Sequence, residues 1–167
     1  KMIIDSIYKT PQPWYALGNP AGPLFIGATG ELDMTACGAT ALSVASLETE
    51  AGATLTTTNI NVLTVRGDAT IAAGLATAGS LVLNGETTLD LTDLFAGANP
   101  PVAGQPVTLV TAKAISGSGV YKVKGSPYAT RIVNLGTSLV AVFFTGSAGE
   151  AVAAAKPIRL WCVGDDL

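Results

Sequence analysis

The chain is 167 residues long, enough for one domain or one elongated module. Only 13% of residues are charged, against about 25% in an ordinary soluble domain. Its nine basic residues are scattered, which argues against a phosphate-backbone partner, because nucleic-acid binding needs clustered Lys and Arg. With no histidine at all, the chain lacks the commonest general base, the Ser-His and Cys-His pairs and the usual zinc ligand sets.

Hydrophobic residues make up 49%, mostly Ala, Val and Leu, beside 19 Gly and many Thr. Small and β-branched residues with frequent turn formers favour strands and tight turns over long helices. No stretch reaches the roughly 18 apolar residues of a membrane span; the longest, from Leu139 to Phe144, has the length of a strand. The amino end is too short and too quickly polar to be a signal peptide. Its start at Lys1 fits a processed or trimmed chain.

Residues 1–31 read as an extended arm rich in Pro and Gly. Pro11, Pro13, Pro20 and Pro23 interrupt regular pairing, with Met2-Ile3-Ile4 and Leu24-Phe25-Ile26 as short strands on either side. Trp14 and Tyr15 are the arm's candidate aromatic contacts, either anchoring it or forming a binding patch.

Residues 32–145 read as a β-repeat core with a capping meander. Leu47, Leu55, Leu63 and Ile71 follow one another every eight residues, and Leu81 and Leu89 resume the spacing after a longer gap. Small-residue turns separate them. Evenly spaced short strands suit either a sandwich, paired by hairpins, or a solenoid, in which each coil stacks on the next. Asn84-Gly85 is a hairpin signal and favours the sandwich locally. The constant spacing and the absence of large aromatics favour the solenoid. The expected fold is a short right-handed β-solenoid, like a parallel β-helix, with a β-sandwich or jelly roll as the alternative.

From residue 92 the spacing breaks into a loop over 95–105. Four strands follow, at 107–112, 120–123, 129–134 and 139–145, and read as an antiparallel meander closing the end of the stack. Such a cap covers unpaired edges and apolar interior. Residues 146–167 read as a small-residue linker and a terminal strand.

The run from Ala69 through Gly79-Ser80-Leu81-Val82-Leu83-Asn84-Gly85 to Leu91 resembles the coils of autotransporter-associated β-strand repeat proteins of bacteria. Gln105 to Ala112, followed by Ile115-Ser116-Gly117, is similar to the strand that ends such units. Leu160-Trp161-Cys162-Val163-Gly164 is similar to the start of the next, although Cys162 departs from the pattern. The likeness covers residues 40–164, and the arm before it has no counterpart. It implies an extracellular, non-enzymatic β-solenoid used for display, adhesion or assembly.

The remaining chemistry is sparse. Cys37 and Cys162 either form a disulfide, if the protein is secreted, or pack as two buried thiols. A glycosidase needs two facing carboxylates; Glu48 and Glu50 alternate on one strand face, as do Asp90 and, after a turn, Asp93. Arg66-Gly67-Asp68 has its natural role as a turn, and Lys122 and Lys124 as the solvent side of a strand. No cofactor or metal is expected. The expected function is a non-catalytic structural or assembly protein of a bacterial surface or secreted filament, partnered by copies of itself. A glycan-binding or adhesive module, presenting a surface cluster of Trp14, Tyr15, Tyr121 or Tyr128, is the second reading, and a β-helical polysaccharide-degrading enzyme the third.

Overall fold

A computed structural model of the chain describes residues 2–5, 7–9, 21–35 and 40–145, with 7–9 described by backbone alone. The chain winds as a β-solenoid of three faces. Each coil lays one short strand on each face in turn, and each strand pairs in parallel with its counterparts in the neighbouring coils.

The first face carries six strands: β1 (Met2–Ile4), β3 (Leu24–Ile26), β6 (Leu47–Thr49), β9 (Ala69–Ala72), β12 (Thr87–Asp90) and β15 (Tyr121–Lys124). Six strands span about 24 Å along the axis at the usual separation of about 4.8 Å. The second face carries β2 (Ile7–Lys9), β4 (Glu31–Asp33) and β7 (Thr54–Thr56). It continues with β10 (Leu75–Ala76) and β13 (Val107–Thr111). The third face stacks β5 (Ala41–Val44), β8 (Val62–Val65), β11 (Ser80–Leu83) and β14 (Ala114–Ser116). Residues from the expected arm therefore supply β1, β2 and β3, the first rungs of two faces.

Register explains the leucine spacing. Leu47 lies on the first face, Leu55 on the second, Leu63 on the third and Ile71 on the first again. Eight residues is one face, not one coil. Leu24, Leu47, Ala69 and Thr87 are successive partners, so the coils advance by 23, 22 and 18 residues. The next step, from Thr87 to Tyr121, is 34 residues, because helix α1 (Thr92–Ala96) and the loop after it are inserted before β13.

Alternate side chains enter the core. On the third face Leu42, Leu63, Leu81 and Ile115 form one interior column and Val44, Val65 and Leu83 another. On the first face Ile4, Ile26, Thr49, Ile71 and Leu89 stack in register. These residues are all buried. Thr49 is the polar member, and its hydroxyl oxygen accepts a 3.2 Å hydrogen bond from the Ala72 amide of the next coil.

Asn84-Gly85 is not a hairpin turn. The strands before and after it, β11 and β12, lie on different faces and pair only with strands of neighbouring coils. Gly85 has no positive φ, which the hairpin turn expected of Asn-Gly requires. The dipeptide makes the corner from the third face to the first. Glycine is needed there because coils approach closely: a Cβ on Gly67 would lie 2.6 Å from the Ala45 carbonyl oxygen, a Cβ on Gly85 would collide with the Gly67 carbonyl, and one on Gly119 with the Gly85 carbonyl.

The same corner holds Arg66-Gly67-Asp68. Arg66 donates from one guanidinium nitrogen to the Ser43 hydroxyl at 2.8 Å and from another to the Ala21 carbonyl at 2.8 Å. Asp68 accepts from the Glu86 amide at 3.1 Å. Arg66 staples three coils and Asp68 adds a fourth, and Arg66→Ala should cost about 1 kcal/mol of stability, read as a lower denaturation midpoint with an unchanged m-value.

The cap is narrower than a four-stranded meander. β13 and β15 are rungs of the solenoid, and only β16 (Ala129–Asn134) and β17 (Ser138–Phe144) form a hairpin. β17 pairs antiparallel with β13, and Leu139, Ala141 and Phe143 turn inward with no exposed surface. Phe143 meets Phe95 of α1 edge-on at 5.2 Å and Tyr128 at 6.0 Å. This aromatic group joins the hairpin to the inserted helix. No helix among the described residues is long and apolar enough to cross a membrane.

Candidate functional site

The outer side of the first face carries Glu48, Asp90, Lys122 and Lys124, with ion pairs at both lysines. Phe25, Glu48, Thr70, Thr88 and Lys122 are successive register partners and form a row along the axis. Ala72, Asp90 and Lys124 form a second row beside it. Parallel stacking brings together residues that are far apart in sequence. Helix α1, budding from the end of β12, raises a wall along one side.

The result is a groove of about 360 Å³. Its lining includes Glu48, Glu50, Asp90, Asp93 and Lys124, the hydroxyl residues Thr70 and Thr92, and the apolar Phe25 and Leu94. Both carboxylate pairs singled out from sequence spacing thus line one groove. Nothing in their local sequence links the two pairs, because the link is the coil length.

Several of these charges are tied to neighbours. Glu50 accepts from the Ala28 amide at 3.2 Å. Asp90 accepts from the Thr92 amide at 3.0 Å and the Thr92 hydroxyl at 2.7 Å, and its other oxygen lies 3.5 Å from Lys124 Nζ. Partial burial pushes the Asp90 carboxyl up, but the Thr92 hydroxyl and amide, then Lys124, outweigh it, and the group sits below the usual aspartate range. Lys122 pairs with Glu86 at 2.8 Å, and that hydrogen bond and charge raise its pKa. Among the described residues, no three acidic groups are placed to hold a metal ion.

The depressed Asp90 pKa carries a pH prediction. A carboxyl that ionises more readily when folded contributes stability above its unfolded pKa, and this contribution is lost as pH falls through the folded value. Asp90→Asn should therefore lower stability by about 0.5 kcal/mol at neutral pH, as expected for a part-exposed pair. The gap between the two proteins should close in strong acid, as followed by thermal melts across pH.

A second depression of about 270 Å³ lies next to the groove and shares Lys124; Tyr121, Lys122, Ser126 and Tyr128 also line it. Tyr121 and Tyr128 thus come together, as a glycan-binding reading requires. Tyr121 Oη accepts from Asn134 Nδ2 at 3.1 Å, and Tyr128 packs on Phe95 at 5.8 Å. The other aromatics of that reading, Trp14 and Tyr15, lie outside the described residues, as do Cys37 and Cys162.

No protein-family model, curated protein or solved structure matches this chain. Its functional reading rests on its own residues.

Proposed function

We propose that the chain is a non-catalytic structural module that assembles with copies of itself, at a bacterial surface or in an extracellular filament. The observation that carries this reading is the third face. Its four strands, β5, β8, β11 and β14, contain no charged residue. Ser43, Thr64, Val82 and Ser116 run down its outer side in register, with Val62 and Ser80 beside them. Short uncharged side chains on a sheet of this kind suit close packing against another sheet, at about 10 Å separation. A lone soluble domain ordinarily covers such a face with charge. A second copy of the same chain brings the same strands, and the cation that reaches them, Arg66, is already held by the Ser43 hydroxyl and the Ala21 carbonyl. Low overall charge and the likeness of residues 40–164 to autotransporter-associated repeats support the extracellular placement.

The test is sedimentation velocity and electron microscopy on the wild type and on Thr64→Lys with Val82→Lys. Both side chains point outward, so the β circular-dichroism signal should persist. Assemblies in the wild type and monomers in the variant support the reading. Assemblies in both remove the third face from it, and dispersed wild-type particles at high concentration end it.

A second reading, glycan binding, is favoured by the groove, where carboxylates and hydroxyls lie beside Phe25. Glycan-array binding that Glu48→Gln abolishes would support it, and an array at background would count against it. Asp90 does not suit the general-acid role of a carboxylate pair, which needs a raised pKa, because its own is lowered.

A further inference from the structure

We propose that Asn84 is a site of spontaneous deamidation, and that its isoaspartyl product loosens the solenoid at its tightest corner. The chain has six asparagines. Asn19 and Asn99 precede prolines, whose nitrogen carries no hydrogen and cannot close the required ring. Asn59, Asn61 and Asn134 precede Ile60, Val62 and Leu135, whose bulky side chains shield the following amide. Asn61 is also buried, with its carbonyl oxygen engaged by Thr58. Asn134 is held by the Ile115 carbonyl and the Tyr121 hydroxyl. Asn84 is exposed and is followed by a residue with no side chain.

The backbone around it sharpens the case. The Asn84 amide donates to the Val65 carbonyl, and the Glu86 amide to Asp68. Between them, the Gly85 amide donates no hydrogen bond among the described residues. The nucleophile is therefore unoccupied, while its flanks are anchored.

The reaction needs only water. The Gly85 nitrogen attacks Asn84 Cγ, a nitrogen–carbon bond closes the succinimide ring, and the Cγ–Nδ2 bond breaks. Ammonia leaves with the proton lost from the Gly85 nitrogen. Water then opens the ring. Cleavage at Cγ gives aspartate, and cleavage at the main-chain carbonyl gives isoaspartate, with Cβ now inserted in the backbone. At this corner Gly85 rests on the Gly67 carbonyl and carries Gly119 on its own, with no room for even one added carbon. An extra backbone atom here displaces the coils above and below. The new carboxylate also adds negative charge near Asp68 and Glu86.

The experiment incubates the purified wild type and Asn84→Gln in mildly alkaline buffer, with the urea-unfolded chain in parallel. Isoaspartate is mapped by peptide mass spectrometry and by methyl transfer from an isoaspartyl methyltransferase, and melting is followed over the same days. The expected result is isoaspartate at position 84 several-fold above all other positions together. The melting midpoint should fall in the aged wild type and hold in Asn84→Gln. The proposal is overturned if the folded chain stays unmodified after the unfolded chain has converted. It is equally overturned if isoaspartate accumulates with no change in melting.

Discussion

Phe143→Ala should cost the fold about 3–5 kcal/mol, the range for deleting a fully buried aromatic ring. Phe143 has no exposed surface and is among the largest side chains in the core. It lies on β17, whose inward residues close the end of the solenoid, and its ring also holds Phe95 and Tyr128. Its loss therefore leaves a cavity and unseats the inserted helix together with the hairpin. The melting midpoint should fall by on the order of 10 °C for a domain of this size. The expected pattern is uneven. Amides of β15 and β17 should exchange hydrogen faster, while those of β6 and β8, several rungs away, should change little, because coils of a solenoid couple mainly to their neighbours. A uniform loss of protection would show that the stack unfolds as one unit and that the hairpin is no separate cap.

The solenoid was legible because stacking coils need a periodic, narrow, aliphatic interior. Leu47, Leu55, Leu63 and Ile71 announce that interior without any knowledge of contacts. The length of the coil was not legible, since one leucine per face and one leucine per coil produce the same ladder. Asn84-Gly85 misled for a related reason: a sharp change of chain direction needs the same residues at a hairpin and at a coil corner, and only pairing partners distinguish them. β13 and β15 looked like meander strands because a strand's own residues say little about whether its neighbour runs parallel or antiparallel. The groove was half legible. Glu48 with Glu50 and Asp90 with Asp93 were visible as pairs. Their meeting depends on register between β6, β9 and β12, which is a long-range property. Lys124 and Phe25 join them only through the same stacking.

The glycines of the chain serve two different ends, and a pair of substitutions should separate them. Gly119→Ala is expected to cost about 3 kcal/mol or more, as overpacking against atoms that cannot yield. A Cβ there meets the Gly85 carbonyl within contact distance, the Leu83 carbonyl oxygen at 2.9 Å and the Gly85 carbonyl carbon at 3.1 Å. All three are backbone atoms of the coil below, fixed by their own ladders, so the only relief is to lift one coil from the other. Gly74→Ala faces the opposite situation. Its φ is +107° and nothing lies within 4 Å of the added carbon, so it meets only the backbone penalty of about 1–2 kcal/mol for a side chain in that conformation. Gly119→Ala should also strip hydrogen-exchange protection from Thr87 and Leu91, whose amides donate to the Val120 and Lys124 carbonyls of the coil above. Gly74→Ala should leave those amides protected. Equal costs with equal exchange patterns would mean that coil spacing is softer than the stacked Gly67, Gly85 and Gly119 imply. The corner would then tolerate side chains, and its glycines would need another explanation.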